Sequence, residues 1–138
     1  MEPKKLIIKL LKSGASISEQ LTHAIKKEGL SLPQFNVLRI LRGQKDVPAN
    51  LFTVQERMVN KMSNTTRLVD KLIEKGFVER QVCLENRRKI ELSITQKGLH
   101  MLTVLDPLIA SEEKKITQTL SKEDKNQLML LLEKLNLN

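Results

Sequence analysis

Apolar residues recur in steps of three and four along the first stretch of the chain: Leu6/Ile7, Leu10/Leu11, Ile17, Leu21 and Ala24/Ile25. That spacing predicts an amphipathic helix. Ser13, Gly14, Ala15 and Ser16 sit inside it as a place for a bend or a close helix crossing, and Gly29 is placed to cap its end. Ser31-Leu32-Pro33-Gln34 opens a second helix. Ser31 can cap the exposed N–H groups, Pro33 fits the first turn, and Gln34 completes a capping box. The buried stripe of this helix is Phe35, Leu38 and Leu41, running to about Arg42. Residues 43–50, with Gly43, Asp46 and Pro48, read as a loop. A short helix follows, with Leu51, Val54 and Met58 on one side. Another is expected to begin near Asn60 or Lys61, with Met62, Leu68, Val69, Leu72 and Ile73 as its core side and a polar first half. Lys75-Gly76 ends it.

The period then changes. Residues 77–84 carry β-branched Val78 and Val82, and residues 89–94 set Ile90, Leu92 and Ile94 against Lys89, Glu91 and Ser93. Strict alternation is the pattern of a half-buried strand. Glu85-Asn86-Arg87-Arg88 lies between, so a two-stranded hairpin with a basic tip is expected. Thr95-Gln96-Lys97-Gly98 opens a long helix with Leu99, Leu102, Leu105 and Ile109 on its apolar stripe, in which Pro107 should introduce a kink. Ser121-Lys122-Glu123-Asp124 starts a last helix bearing Leu128, Leu131, Leu132 and Leu135.

The 138 residues suffice for one domain with a real core. The net charge of +8 is unevenly placed. Residues 57–89 hold nine Lys/Arg against four Asp/Glu, whereas residues 98–138 hold five against six. A basic middle followed by a neutral, leucine-rich end suggests a binding segment and an association segment. The bland alternative is a solvated helix face. With three Phe and no Trp or Tyr, stacking on single-stranded bases is disfavoured, and duplex DNA becomes the better polyanion. No apolar run approaches a membrane span. Lys9 and Lys12 break the first apolar stretch and no small-residue cleavage site follows, so a secretory leader is not expected. The lone Cys83 favours a reducing, cytoplasmic setting.

Three short helices and a hairpin, in that order, predict a mainly α fold with a small β-hairpin wing: a winged helix-turn-helix over residues 31–96. The flanking residues 1–30 and 97–138 form a helical dimerisation region, because their leucine stripes exceed what one small module needs. A two-fold dimer would present two recognition helices about one DNA turn apart, roughly 34–36 Å.

Several blocks resemble the MarR family of bacterial transcriptional regulators. They are Leu32-Pro33-Gln34-Phe35-Asn36-Val37-Leu38-Arg39-Ile40-Leu41, the run from Ser63 through Arg80, then Asn86-Arg87-Arg88 and Leu92-Ser93-Ile94-Thr95-Gln96-Lys97-Gly98. The resemblance runs from about Ile17 to Leu135. It implies a homodimeric repressor of a pseudo-palindromic duplex site, responsive to a small-molecule effector that shifts the spacing of the recognition helices. The family's wing usually carries Asp-x-Arg. Here Asn86 stands at the Asp position and Arg88 at the minor-groove position, so the guanidinium has no charged partner there. The loop at residues 43–50 is about two residues longer than is common in the family.

Ser63, Asn64, Thr65 and Arg67 are the candidates for base and phosphate contact, since hydroxyls and amides read base edges and Arg suits guanine or phosphate. Thr66 and Asp70 are placed toward the side or rear of that helix. Arg87, Arg88 and Asn86 are the wing candidates, and Lys61, Lys71, Arg80 and Lys89 the phosphate candidates. Each has a plain alternative in capping, solvation or the blunting of an edge strand. Cys83, on the wing strand, reads better as an incidental thiol than as a redox sensor. His23 and His100 are too isolated to define a metal site. Glu112-Glu113 and Glu123-Asp124 read as helix surface and helix start. No phosphate loop, nucleophile elbow or zinc spacing is present, so neither an enzyme nor a cofactor is expected. The competing class is a helical protein-interaction module that kept the fold without reading DNA.

Overall fold

The structure, a computed structural model, describes all residues except Asp46, Arg87, Arg88, Asn136 and Asn138. The chain runs α1 (Pro3–Ile25), α2 (Leu32–Gly43), α3 (Leu51–Arg57), α4 (Thr65–Glu74), β1 (Val78–Val82), β2 (Ile90–Ile94), α5 (Gln96–Thr117) and α6 (Lys122–Lys134). It is mostly helical, with one antiparallel hairpin pairing Val78 with Ile94, Arg80 with Leu92 and Val82 with Ile90.

Local capping explains where most helices start. Ser31 Oγ accepts from Gln34 N at 3.2 Å while Gln34 Oε1 accepts from Ser31 N at 2.9 Å. Ser121 and Asp124 make the same reciprocal pair. Helix α1 tightens into a 3₁₀ turn over Lys26–Glu28 and stops at Gly29. It is continuous through residues 13–16, and a Cβ on Gly14 would meet nothing within 4 Å among the described residues. Helix α5 runs past the exposed Pro107 to Thr117 without interruption. A proline removes one N–H, and on an exposed face water can serve the freed carbonyl.

The core gathers Phe35, Val37, Leu38 and Leu41 of α2 against Val54, Val69, Leu72, Leu92, Leu102 and Leu105. Ala49 joins β2 from the far side: Leu92 N donates to Ala49 O at 2.7 Å and Ala49 N to Leu92 O at 3.0 Å. The loop of residues 43–50 is therefore tied to the wing at its end, a link that no periodicity announced. An ion pair of 2.5 Å between Arg42 and Asp106 joins the end of α2 to α5.

One helix start differs from expectation. Helix α4 begins at Thr65, not near Asn60 or Lys61. Asn60 Oδ1 instead accepts Met62 N at 2.9 Å and holds a turn, while Asn64 Oδ1 accepts Arg67 N at 3.2 Å and caps the helix. Met62 thus precedes the helix and is 91% exposed, so it is no part of the core side.

The passage from α4 through β1 to α5 is closely locked. Gly76, at φ 82°, turns the chain out of α4, and Phe77 N reaches back to Leu72 O at 2.9 Å. Thr95 donates its N–H to Phe77 O at 3.0 Å and its hydroxyl to Gly76 O at 2.7 Å, and caps Gly98 N at 3.0 Å. A Cβ on Gly98 would lie 2.4 Å from Phe77 O and 2.6 Å from Ile94 Cγ1. Gly98→Ala should therefore cost about 1–3 kcal/mol by overpacking, read as a lower denaturant midpoint at unchanged slope.

Candidate nucleic-acid interface

The turn before α4 is held by side chains. The Gln55 amide donates to Lys61 O, Asn60 holds Met62 N, and Ser63 N donates to Asn60 O at 3.1 Å. This places Ser63 and Asn64 just before the first turn of α4. The rotational setting of α4 follows from what it buries. Val69 and Leu72 are 3% and 0% exposed, and Thr65, one turn and two turns before them, is 2% exposed.

Thr65 therefore faces the interior, with its hydroxyl 3.4 Å from Ser63 O. Its side chain is not at the surface with Ser63, Asn64 and Arg67. Thr66 and Asp70, assigned to the side or rear, lie instead on the exposed face with Arg67 and Lys71. Counting back four and seven from Val69 and Leu72 is the signal that would have exchanged the two threonines.

Ser63, Asn64, Arg67 and Lys71 come together along one cleft of about 560 Å³, whose opposite wall is Ser31 and Gln34 at the start of α2. Lys61 is exposed in the turn before α4. The hairpin carries the other cations: Arg80 is exposed on β1, and Lys89 just before β2. Lys89 N donates to Asn86 O at 2.9 Å, and Cys83 N donates to Lys89 O at 2.9 Å, which carries the pairing past β1 and β2 toward the tip. Asn86 is exposed, and Arg87 and Arg88 lie outside the described residues. Phe52, Val59 and Met62 are exposed around α3 and its turn, and of these only Met62 is expected from periodicity on a core side.

The other candidates are scattered. Cys83 is a free, half-buried thiol. His23 faces a groove shared with Glu19 and Glu112, and His100 is exposed on α5. Among the described residues no group of three or more His, Cys, Asp or Glu is arranged to hold a metal ion, and no helix is long and apolar enough to cross a membrane.

Comparison with known proteins agrees with this architecture. A family model described as the MarR family matches residues 30–90, from the approach to α2 into the start of β2. The chain is 30% identical over 134 residues to the HTH-type transcriptional regulator MhqR of Bacillus subtilis, a match covering 97% of this chain and 91% of that protein. Its fold is similar to that of a MarR-like transcription regulator of Bacillus cereus, with a TM-score of 0.87 at 23% identity over 98% of this chain and 97% of the other. It is also similar in fold to BpsR of Bordetella bronchiseptica, whose DNA binding is regulated by 6-hydroxynicotinic acid. There the TM-score is 0.85 at 18% identity, over 99% and 94% of the two chains.

The cap at Asn64 gives the interface a stability signature. Asn64→Ala should destabilise the fold by about 1 kcal/mol, and Asn64→Asp should restore most of it, because Asp caps as well as Asn. Thermal unfolding of the two variants checks this.

Proposed function

Because the chain belongs to the MarR family of transcriptional regulators, we propose that it acts as a homodimeric repressor that reads a pseudo-palindromic site in duplex DNA through α4 and the hairpin. The observation that carries this reading is the exposed, cap-ended front of α4, where Ser63, Asn64, Thr66, Arg67 and Lys71 share one accessible side beside a basic hairpin. Polar side chains at the start of a recognition helix suit base edges, and the cations suit phosphates. Thr65 has a supporting place in this scheme: buried under α4, it helps set the phase that turns Thr66 and Arg67 outward. Lys61, Arg80 and Lys89 remain phosphate contacts, and Asn86, Arg87 and Arg88 the wing that enters the adjacent minor groove, where a narrow groove favours arginine.

Dimerisation is supported by what the single chain leaves uncovered. Helix α6 buries no residue, and Leu128, Met129, Leu130, Leu131 and Leu132 are 42–65% exposed. Leu6, Ile7, Ile8 and Leu11 of α1 are 41–68% exposed. Two helices with bare apolar faces in water invite a second copy, since each such side chain contributes about 1.5–3 kcal/mol when fully buried. The division into a DNA module at residues 31–96 and association segments at 1–30 and 97–138 follows. The relatives are named as regulators, and the role assigned to this chain is likewise binding and not catalysis, in the cytoplasm with the DNA.

A small-molecule effector fits the same design. A ligand seated between the association helices and the DNA module acts only if it binds the two spacings of the recognition helices with different affinity. The regulation of BpsR by 6-hydroxynicotinic acid supports a ligand-responsive reading for this fold.

Titration of duplex from the gene's own upstream region at several salt concentrations tests the proposal. Wild type should prefer that duplex over random competitor, with a steep salt slope, and Arg67→Ala should lower affinity while reducing the slope by about 1. Equal affinity for random duplex would favour the protein-interaction alternative. Sedimentation at micromolar concentration should give a dimer, and a stable monomer would contradict the role given to α1 and α6.

A further inference from the structure

The cleft between α2 and α4 has an uneven chemistry. Arg67, Lys71 and Lys75 line it, and no carboxylate does. The α2 wall is formed by the capping box, whose groups are largely engaged: Ser31 N and Gln34 N bond to each other's side chains, and Pro33 has no N–H. Gln34 is the exception. It is 6% exposed, a buried polar residue, and it faces the cleft. Its Oε1 accepts from Ser31 N at 2.9 Å, but its Nε2 makes no hydrogen bond among the described residues. A primary amide carries two N–H donors, and here they open onto the cleft, where water serves them until a ligand made of acceptors takes its place.

A site offering cations and amide donors, but no negative group, suits a ligand made only of acceptors. We propose that this cleft seats one phosphate of the DNA backbone in each half-site, with the Gln34 amide donating to a phosphate oxygen and Lys71 and Arg67 supplying charge from the opposite wall. The inference rests on the DNA-binding reading and extends it to α2, outside the recognition helix. A phosphate pinned between two helices would fix the depth and tilt of α4 in the groove, which is the role of contacts that position without reading sequence.

Gln34→Glu tests this without threatening the fold, because Glu at this position is a standard capping-box partner and keeps the acceptor for Ser31 N. It removes the amide donor and turns a carboxylate oxygen toward the phosphate. Lys71→Gln, at an exposed position, provides a second route. The probe is a duplex selected by the wild-type protein from a random-sequence library, with single phosphates replaced in turn by neutral methylphosphonate. Wild type should lose about tenfold in affinity at one phosphate in each half-site. Gln34→Glu should bind the unmodified duplex about tenfold more weakly, melt no lower than wild type, and be indifferent to replacement of that same phosphate. Lys71→Gln should show a reduced penalty at that position. If both variants keep the wild-type phosphonate profile, the phosphate seat is wrong while the regulator reading stands. If wild type enriches no sequence from the library, the regulator reading fails and the seat fails with it.

Discussion

The arrangement depends on the junction where α4 ends and α5 begins. Phe77 O and Gly76 O both accept from Thr95, Thr95 in turn caps Gly98 N, and Gly98 lets the helix start sit against Phe77 and Ile94 with no room for a side chain. Lys97 Nζ adds a bond to Lys75 O at 2.8 Å and lies 5.2 Å from the Phe77 ring centroid. These contacts join the last turn of α4, the first residues of the hairpin and the first turn of α5 into one piece. Helices α4 and α5 are tied to each other at this point. A displacement of the start of α5 would carry the end of α4 with it.

Around that junction the molecule divides its surface by chemistry. The front of α4 is polar, with Arg67 and Lys71 beside Asp70, and its rear is sealed by Thr65, Val69 and Leu72 against the core. The outer faces of α1 and α6 are apolar and bare. One face offers polar and charged groups and the other hydrocarbon. The ion pair of Arg42 with Asp106 is roughly 40% exposed on both sides, so it orients α2 on α5 more than it stabilises the fold.

Much of this is readable from residue order because the responsible interactions are local. The boxes at Ser31/Gln34 and Ser121/Asp124 need only three residues of spacing, and the alternation of Ile90, Leu92 and Ile94 states its own buried face. The start of α4 is harder. Asn60 and Asn64 are equally good caps, and only the packing of the turn, with Gln55 holding Lys61 O, commits Asn60 to Met62 and leaves Asn64 for the helix. The same choice sets which threonine is buried. The bridge of Ala49 to Leu92 has no sequence pattern, since it rests on a single residue meeting the edge of a strand. The cleft wall at Gln34 is visible as a cap in the sequence, but its idle amide is visible only once α4 is placed opposite it.

The central claim is that two copies of the exposed face of α4 lie in successive major grooves. It is tested most directly by cleavage of selected duplex from an iron chelate tethered at residue 66, using a Thr66→Cys chain in which Cys83 is replaced by Ser. Two clusters of major-groove cuts about one helical turn apart, roughly 34–36 Å, are predicted. Cuts spread evenly along the duplex, or a single cluster from a protein bound as one copy, would contradict the account.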